Sequence, residues 1–202
     1  MSRVSPTITN MIRMDHTHVV AAFHQYQVDT PPRVKKGLAD NICLALEVHA
    51  QLEEEIFYPA LRELAPDETL DKAKPEHNEM RTLIARLRAL QPQDPGFDQT
   101  VFDLMRVVLH HVADEETQLL PKAERLLGDQ LSEMGARMTR RRLQLVGPRS
   151  GEIAGSMARS MSSGTLLAAA GALAAAGGLL LARKTQNPAT RGQWFNPKRW
   201  GH

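Results

Sequence analysis

Two stretches of the chain nearly repeat: HAQLEEEIFYP from His49 to Pro59, and HVADEETQLLP from His111 to Pro121. Each spells His-x-x-x-Glu-Glu and reaches a proline at the same distance. Histidine and glutamate four apart project from one helix face, about a turn from each other. On a surface such a pair is worth only a few tenths of a kcal/mol. Here both pairs fall on the apolar stripe of their helices, where an unpaired carboxylate costs several kcal/mol to bury. Two divalent metal ions would offset that cost, because imidazole and carboxylate together suit iron, manganese or zinc. In such a centre the carboxylates bridge the ions and the histidines cap them.

The elements that carry these residues are helical. Ile12, His16, Val19, Val20 and Phe23 form one stripe over a first helix from Ile8 to about Val28. Asp29-Thr30-Pro31-Pro32 stops it. A second helix is predicted from Pro32 to Leu64, with Leu38, Ile42, Leu46, His49, Glu53 and Ile56 facing inward. A third runs from Leu70 to Leu90 on Ala73, His77, Met80, Ile84 and Leu87. The fourth runs from Phe97 to Leu127 on Val101, Leu104, Val108, His111, Glu115 and Leu119, and Gly128 ends it. Pro59 and Pro121 lie late in the second and fourth helices, where each is expected to bend its helix or loosen the last turns. With short loops and no strand pattern, the expected fold class is all-α, an up-down-up-down four-helix bundle.

The repeat extends over whole hairpins. His16 precedes His77 by 61 residues and His49 precedes His111 by 62, so Asp15-His16 answers Glu76-His77. Two similar hairpins can close on a pseudo-two-fold axis and deliver matching ligands to it. The remaining histidines do not join this set: His110 shares a face with Asp103, Arg106 and Asp114, and His18 and His24 rotate away from His16. Glu54, Glu55 and Glu116 leave the inner stripe and are expected to form salt bridges or orient ligands. Tyr26 and Tyr58 are read as packing residues within reach of donating a hydrogen bond.

At this point the residues are similar to a known family. From Ile8 to Leu127 the chain resembles the hemerythrin-like HHE cation-binding domain, whose ligands run His, His-x-x-x-Glu, His, His-x-x-x-Glu. The resemblance implies a non-haem di-iron centre, two iron ions held by His16, His49, Glu53, His77, His111 and Glu115. Oxygen-carrying hemerythrins add a histidine four residues from the third-helix ligand and end on an aspartate five past its histidine. Here Ala73 and Arg81 occupy those flanking positions, and Glu115 lies four past His111. The departure points away from simple oxygen carriage. It favours a protein that senses or reacts with a small oxidant (O₂, peroxide or nitric oxide), with an iron- or oxygen-responsive regulatory module lacking turnover as the alternative. Ferritin-type bundles and zinc proteases are excluded, since Glu-x-x-His and His-Glu-x-x-His are both absent from the sequence.

Composition divides the chain further. Residues 1–128 carry 14 Lys/Arg against 20 Asp/Glu, giving −6, whereas residues 129–202 carry 11 against 3, giving +8. The expected domains are therefore the bundle over 1–128, a basic helix and linker over 129–159, an apolar helix over 160–184 and a tail over 185–202. Arg137, Arg140, Arg141 and Arg142 cluster on the basic helix, where a solvated face or contact with acidic lipid headgroups is expected. Nucleic acid is not expected there, for want of interleaved aromatics. Ser160 to Ala182 holds no charge and is long enough to cross a bilayer, so membrane anchoring through 160–182 is one expectation. Its Ala/Gly spacing equally suits a helix packed in an oligomer. Cys43 is the only cysteine, which excludes an intrachain disulfide and a thiolate metal cluster. The N-terminal segment lacks an apolar core of signal-peptide type, so the bundle is expected to be cytoplasmic, tethered rather than exported.

Overall fold

The computed structural model describes residues 6–64 and 68–160. Among these the chain is helical throughout, with no strand. Helix α1 (Ile8–His24) starts at Thr7, whose hydroxyl accepts from the Asn10 amide. Helix α2 (Pro32–Leu52) opens on a proline, whose missing N–H is one the first turn does not need. It passes through a π-helical turn (Glu53–Phe57) into α3 (Tyr58–Leu64). Helix α4 (Glu68–Ala89) packs along α5 (Phe97–Asp114), which passes through a second π-helical turn (Glu115–Leu119) into α6 (Leu120–Leu127).

The paired π turns are where the prolines act. Neither Pro59 nor Pro121 ends its helix. A proline supplies no N–H and its ring crowds the carbonyl four residues back. The backbone relieves this one residue upstream by reaching five residues instead of four: Tyr58 N–H bonds Glu53 C=O, and Leu120 N–H bonds Glu115 C=O. Each wide turn therefore begins on the glutamate of a His-x-x-x-Glu motif.

The expected stripes are buried, apart from Val20, which is only half-buried. They make two apolar clusters rather than one. One gathers Ile12, Ile56, Ala73 and Leu119; the other gathers Val19, Leu46, Met80 and Val108. Along every helix the ligand-type residue falls between a member of one cluster and a member of the other: Ile12-His16-Val19, Leu46-His49-Glu53-Ile56, Ala73-His77-Met80 and Val108-His111-Glu115-Leu119. The polar layer is thus sandwiched between two dry ends, each core leucine or isoleucine contributing about 1.5–3 kcal/mol on burial.

Residues beyond Gly128 join the same body. Helix α7 (Gln130–Val146) places Leu131, Met134 and Met138 in the cluster that holds Ile8 and Ile12. Gly135 allows this approach, since a Cβ there would meet the Pro6 carbonyl oxygen at 2.0 Å. Helix α8 (Ser150–Ser160) lies along α2, where Gly37 leaves room for its backbone. The basic segment is therefore two helices, and α7 packs into the core rather than standing off as a linker. Of its arginine cluster, Arg141 and Arg142 are spent on ion pairs with Glu55 and Asp15, while Arg137 and Arg140 are exposed. Among the described residues no helix is long and apolar enough to cross a membrane. The apolar run expected to anchor the chain lies, beyond Ser160, outside the described residues.

Candidate metal centre

The four histidines and two glutamates converge in the polar layer, all of them buried. His16 and His49, from the first hairpin, stand with ring centroids 5.0 Å apart; His77 and His111, from the second, stand 4.7 Å apart. The two carboxylates lie between the pairs. Glu53 Oε2 is 3.2 Å from His49 Nε2, 3.4 Å from His77 Nε2 and 3.9 Å from His111 Nε2. Glu115 Oε2 is 3.2 Å from His16 Nε2 and 3.8 Å from His111 Nε2. Donor atoms of His16, His49, Glu53 and Glu115 lie within 4.8 Å of one another, as do those of Glu53, His77 and His111. Glu53 belongs to both groups.

A second ring of carboxylates surrounds the first. Nδ1 of His77 donates to Glu54 at 2.9 Å, that of His111 to Glu76 at 2.8 Å and that of His16 to Glu116 at 3.0 Å. Nδ1 of His49 faces Asp15 at 3.5 Å. A carboxylate can only accept, so each imidazole keeps its proton outside and turns Nε2 inward. The ring obeys the sequence repeat. Asp15 and Glu76, each preceding a lone ligand histidine, hold the other histidine of their own hairpin. Glu54 and Glu116, each following a ligand glutamate, hold the lone histidine of the opposite hairpin.

Electrostatics fit cation binding. Burial drives the Glu53 carboxyl upward, but His49, His111 and His77 outweigh it and hold it well below the ordinary range. Burial lowers His111, yet the carboxylates of Glu53, Glu76 and Glu115 around it raise it to about 10. His16 is likewise raised against its burial, by Glu115 and Glu53. This is the signature of a pocket that stabilises positive charge at its centre. The donor set also passes a direct test for metal: His16 Nε2, His49 Nε2, Glu53 Oε1 and Glu115 Oε2 are buried and make no hydrogen bond. Buried polar atoms rarely stay unpaired, and here the orphans are lone-pair donors aimed at one region.

Tyr58 is the member that spacing concealed. At about 100° per residue, a side chain five after Glu53 points about 140° away in a regular helix. The π turn brings it back over the glutamate. Its hydroxyl donates to Glu115 Oε1 at 2.8 Å, lies 3.2 Å from Glu53 Oε2 and reaches within 3.4 Å of His77 Nε2. Burial, then the charges of Glu53 and Glu115, push the phenol well above its ordinary value, so it stays a donor. The equivalent residue in the second π turn is Leu120, fully buried. Tyr26 instead donates to Asp98, which also accepts from Lys35 at 2.8 Å.

Of the histidines set aside, His110 is exposed and faces Asp114 at 3.9 Å, and His18 and His24 are exposed too. His18 lines a cavity of about 410 Å³ that also touches Asp15, His49, Ile42, Val146 and Met157. His24 lines a second, of about 420 Å³, beside His16 and Glu116. Arg81, one of the two residues four positions from His77, pairs with Glu54 at 2.8 Å. No local pattern ties Arg142, a member of the basic cluster, to the Asp15 it grips 127 residues away.

Comparison with known proteins places this stretch of the chain in a described family. The family profile described as the Hemerythrin HHE cation binding domain matches residues 7–123, a span that holds all six residues of the inner layer. A protein of Nostoc sp. named as a DNA nickase is 30% identical over 129 residues, 64% of this chain but 37% of that protein, so the chain spans well under half of that relative's length. An uncharacterized protein of Mycobacterium tuberculosis is 28% identical over 113 residues, 54% of this chain and 68% of that protein. The crystal structure of a hemerythrin HHE cation binding domain-containing protein from Mycobacterium kansasii shares the fold, with a TM-score of 0.62 at 19% identity, over 77% of this chain and 99% of that one. With the motif order, the all-helical fold and the profile match in agreement, the chain belongs to the hemerythrin HHE cation-binding domain family.

Proposed function

We propose that the polar layer is a non-haem di-iron centre through which the protein reacts with, or senses, a small oxidant: O₂, peroxide or nitric oxide. The observation that carries this reading is the shared pair of buried carboxylates between two imidazole pairs. His16 and His49 would hold one ion, His77 and His111 the other, and Glu53 and Glu115 would serve both. When bound, two irons divide the electron changes that a small oxidant demands.

The chain's own residues set the conditions for that chemistry. The outer carboxylates accept from the Nδ1 side of the four imidazoles and direct their Nε2 atoms inward, where a bound cation would displace any proton. The two apolar clusters exclude bulk water from both ends of the layer. Tyr58 supplies one buried hydroxyl proton at the carboxylates, held there by hydrogen bonding to Glu115. A cytoplasmic location, membrane contact through 160–182 and self-association through that segment remain part of the proposal as expectations from sequence.

Anaerobic loading with ferrous iron, followed by elemental analysis and visible spectra under each oxidant, tests the reading. Two irons per chain and a spectrum that responds to at least one oxidant are expected. Sustained peroxide consumption that disappears on chelation would mark an enzyme, and a single stoichiometric response a sensor. A loaded protein indifferent to all three oxidants would refute the proposal.

A further inference from the structure

The outer carboxylates are not supported alike. Glu54 is held by Arg81, from α4 inside the family span. Asp15 is gripped from outside that span: Arg142 of α7 donates to Asp15 Oδ1 at 2.7 Å and to Oδ2 at 2.5 Å, a fork on both oxygens. Asp15 Oδ2 in turn faces His49 Nδ1 at 3.5 Å. The neighbouring Arg141 also forks on a carboxylate, donating from Nε and Nη2 to the two oxygens of Glu55 at 2.6 and 2.9 Å. Glu55 has no histidine among its partners; it accepts from Gln51. One helix therefore carries two arginine forks, and only one leads to the metal layer.

We infer that Arg142 is a positioning residue for the half of the centre held by His16 and His49, which makes α7 a working part of the metal site. This rests on the metal-binding reading of the polar layer. The physical argument is orientation. A short aspartate on α1 has several rotamers, and a guanidinium fork selects the one that presents Oδ2 to His49. That contact fixes the ring and its Nδ1–H tautomer, leaving Nε2 for the metal. The longest of the four imidazole–carboxylate contacts is this one, 3.5 Å against 2.8–3.0 Å, so His49 depends most on the carboxylate's being held still. His77 and His111 rely on Glu54 and Glu76, which Arg142 does not touch. Its influence is confined to one ion.

Cobalt(II) titration of the full-length protein under anaerobic conditions, followed by calorimetry and by the visible bands of the bound ion, tests this. The wild type should show two binding events, one of them abolished by His49→Ala. Arg142→Ala should weaken that same event about 10- to 100-fold, as expected when a partner behind a ligand histidine is removed, and leave the other unchanged. Arg142→Lys should restore part of the loss, keeping charge without the fork. Asp15→Asn, with no change of volume, should reproduce the selective weakening even if the arginine variants fold poorly. Arg141→Ala should alter neither event. Equal weakening of both events, the same loss in Arg141→Ala, or unaltered or tighter binding in Arg142→Ala would each overturn the inference. A wild-type chain that takes up no cobalt would overturn both the inference and the metal-binding reading beneath it.

Discussion

The two halves of the polar layer are built from a repeated sequence, yet they face different surroundings. His16 and His49 border cavities: His49 and Asp15 line one of about 410 Å³, His16 and Glu116 another of about 420 Å³. His77 and His111 line neither, and the Tyr58 hydroxyl stands against His77 instead. The carboxylate ring is nearly symmetric, so the difference comes from what was added around it. A tyrosine entered one π turn where the other has Leu120. Helices α7 and α8 were laid against the first hairpin, and they supply Arg142, Val146, Ile153 and Met157 to its cavity wall. The sequence repeat supplies matching donor residues; the elements outside the repeat give each half of the layer its own surroundings. Approach of a small ligand is accordingly expected on the His16/His49 side.

The largest effect should come from a residue common to both halves. Replacing Glu53 with Ala removes the carboxylate found in both donor groups, and metal content by elemental analysis should fall to near zero. Retention of two ions would break the shared-carboxylate picture. Single histidines should divide the loss. His49→Ala and His77→Ala are each expected to keep about one ion of two, a split that a single mononuclear site cannot produce.

The chelator-stripped protein should report the positive potential of the layer through pH. His111 is raised to about 10 in the folded chain from an ordinary 6.5. A raised histidine contributes stability that is complete below about 6.5 and lost as the pH rises through about 10. Urea denaturation of stripped protein should therefore show a lower midpoint near pH 10 than near pH 7. An equal or higher midpoint would contradict the assignment of those imidazole–carboxylate contacts.

Tyr58→Phe sharpens the contrast more gently. It leaves the Glu115 acceptor without its 2.8 Å donor, at a cost of about 1–3 kcal/mol for an unpaired buried group. Both ions should remain bound, with the change appearing in the unfolding midpoint and in the spectrum. Loss of one ion would instead make the phenol a ligand. Least of all should His110→Ala matter: its ring is 71% exposed, and stability within about 0.5 kcal/mol and unchanged metal content are expected.

How much of this was legible in the sequence depends on the reach of each signal. The six inner candidate ligands could be picked out because four-residue spacing on an apolar stripe is local and periodic, and the structure buries all six in one layer. The outer ring was half legible. An acid stands beside each ligand motif, but which histidine it serves is settled only when the hairpins close, and Glu54 and Glu116 cross between them. Pro59 and Pro121 announced a disturbance without its form. Only the five-residue backbone reach explains why Tyr58 meets Glu53 and why neither helix ends. Arg142 lay beyond any local pattern, since its fork joins residues 127 apart and its cluster looked like an ordinary basic face. Charge reversal at Gly128 marked a true helix end, but charge describes surfaces, and the core residues of α7 cross that mark.

The central claim is that two metal ions share Glu53 and Glu115 between two imidazole pairs. Anomalous diffraction from crystals of the iron-loaded protein tests it most directly. Two peaks per chain are expected, one beside His16 and His49 and one beside His77 and His111, both next to the two glutamates. A single peak, or density at the exposed group of Glu76, His110 and Asp114 with none in the buried layer, would contradict it.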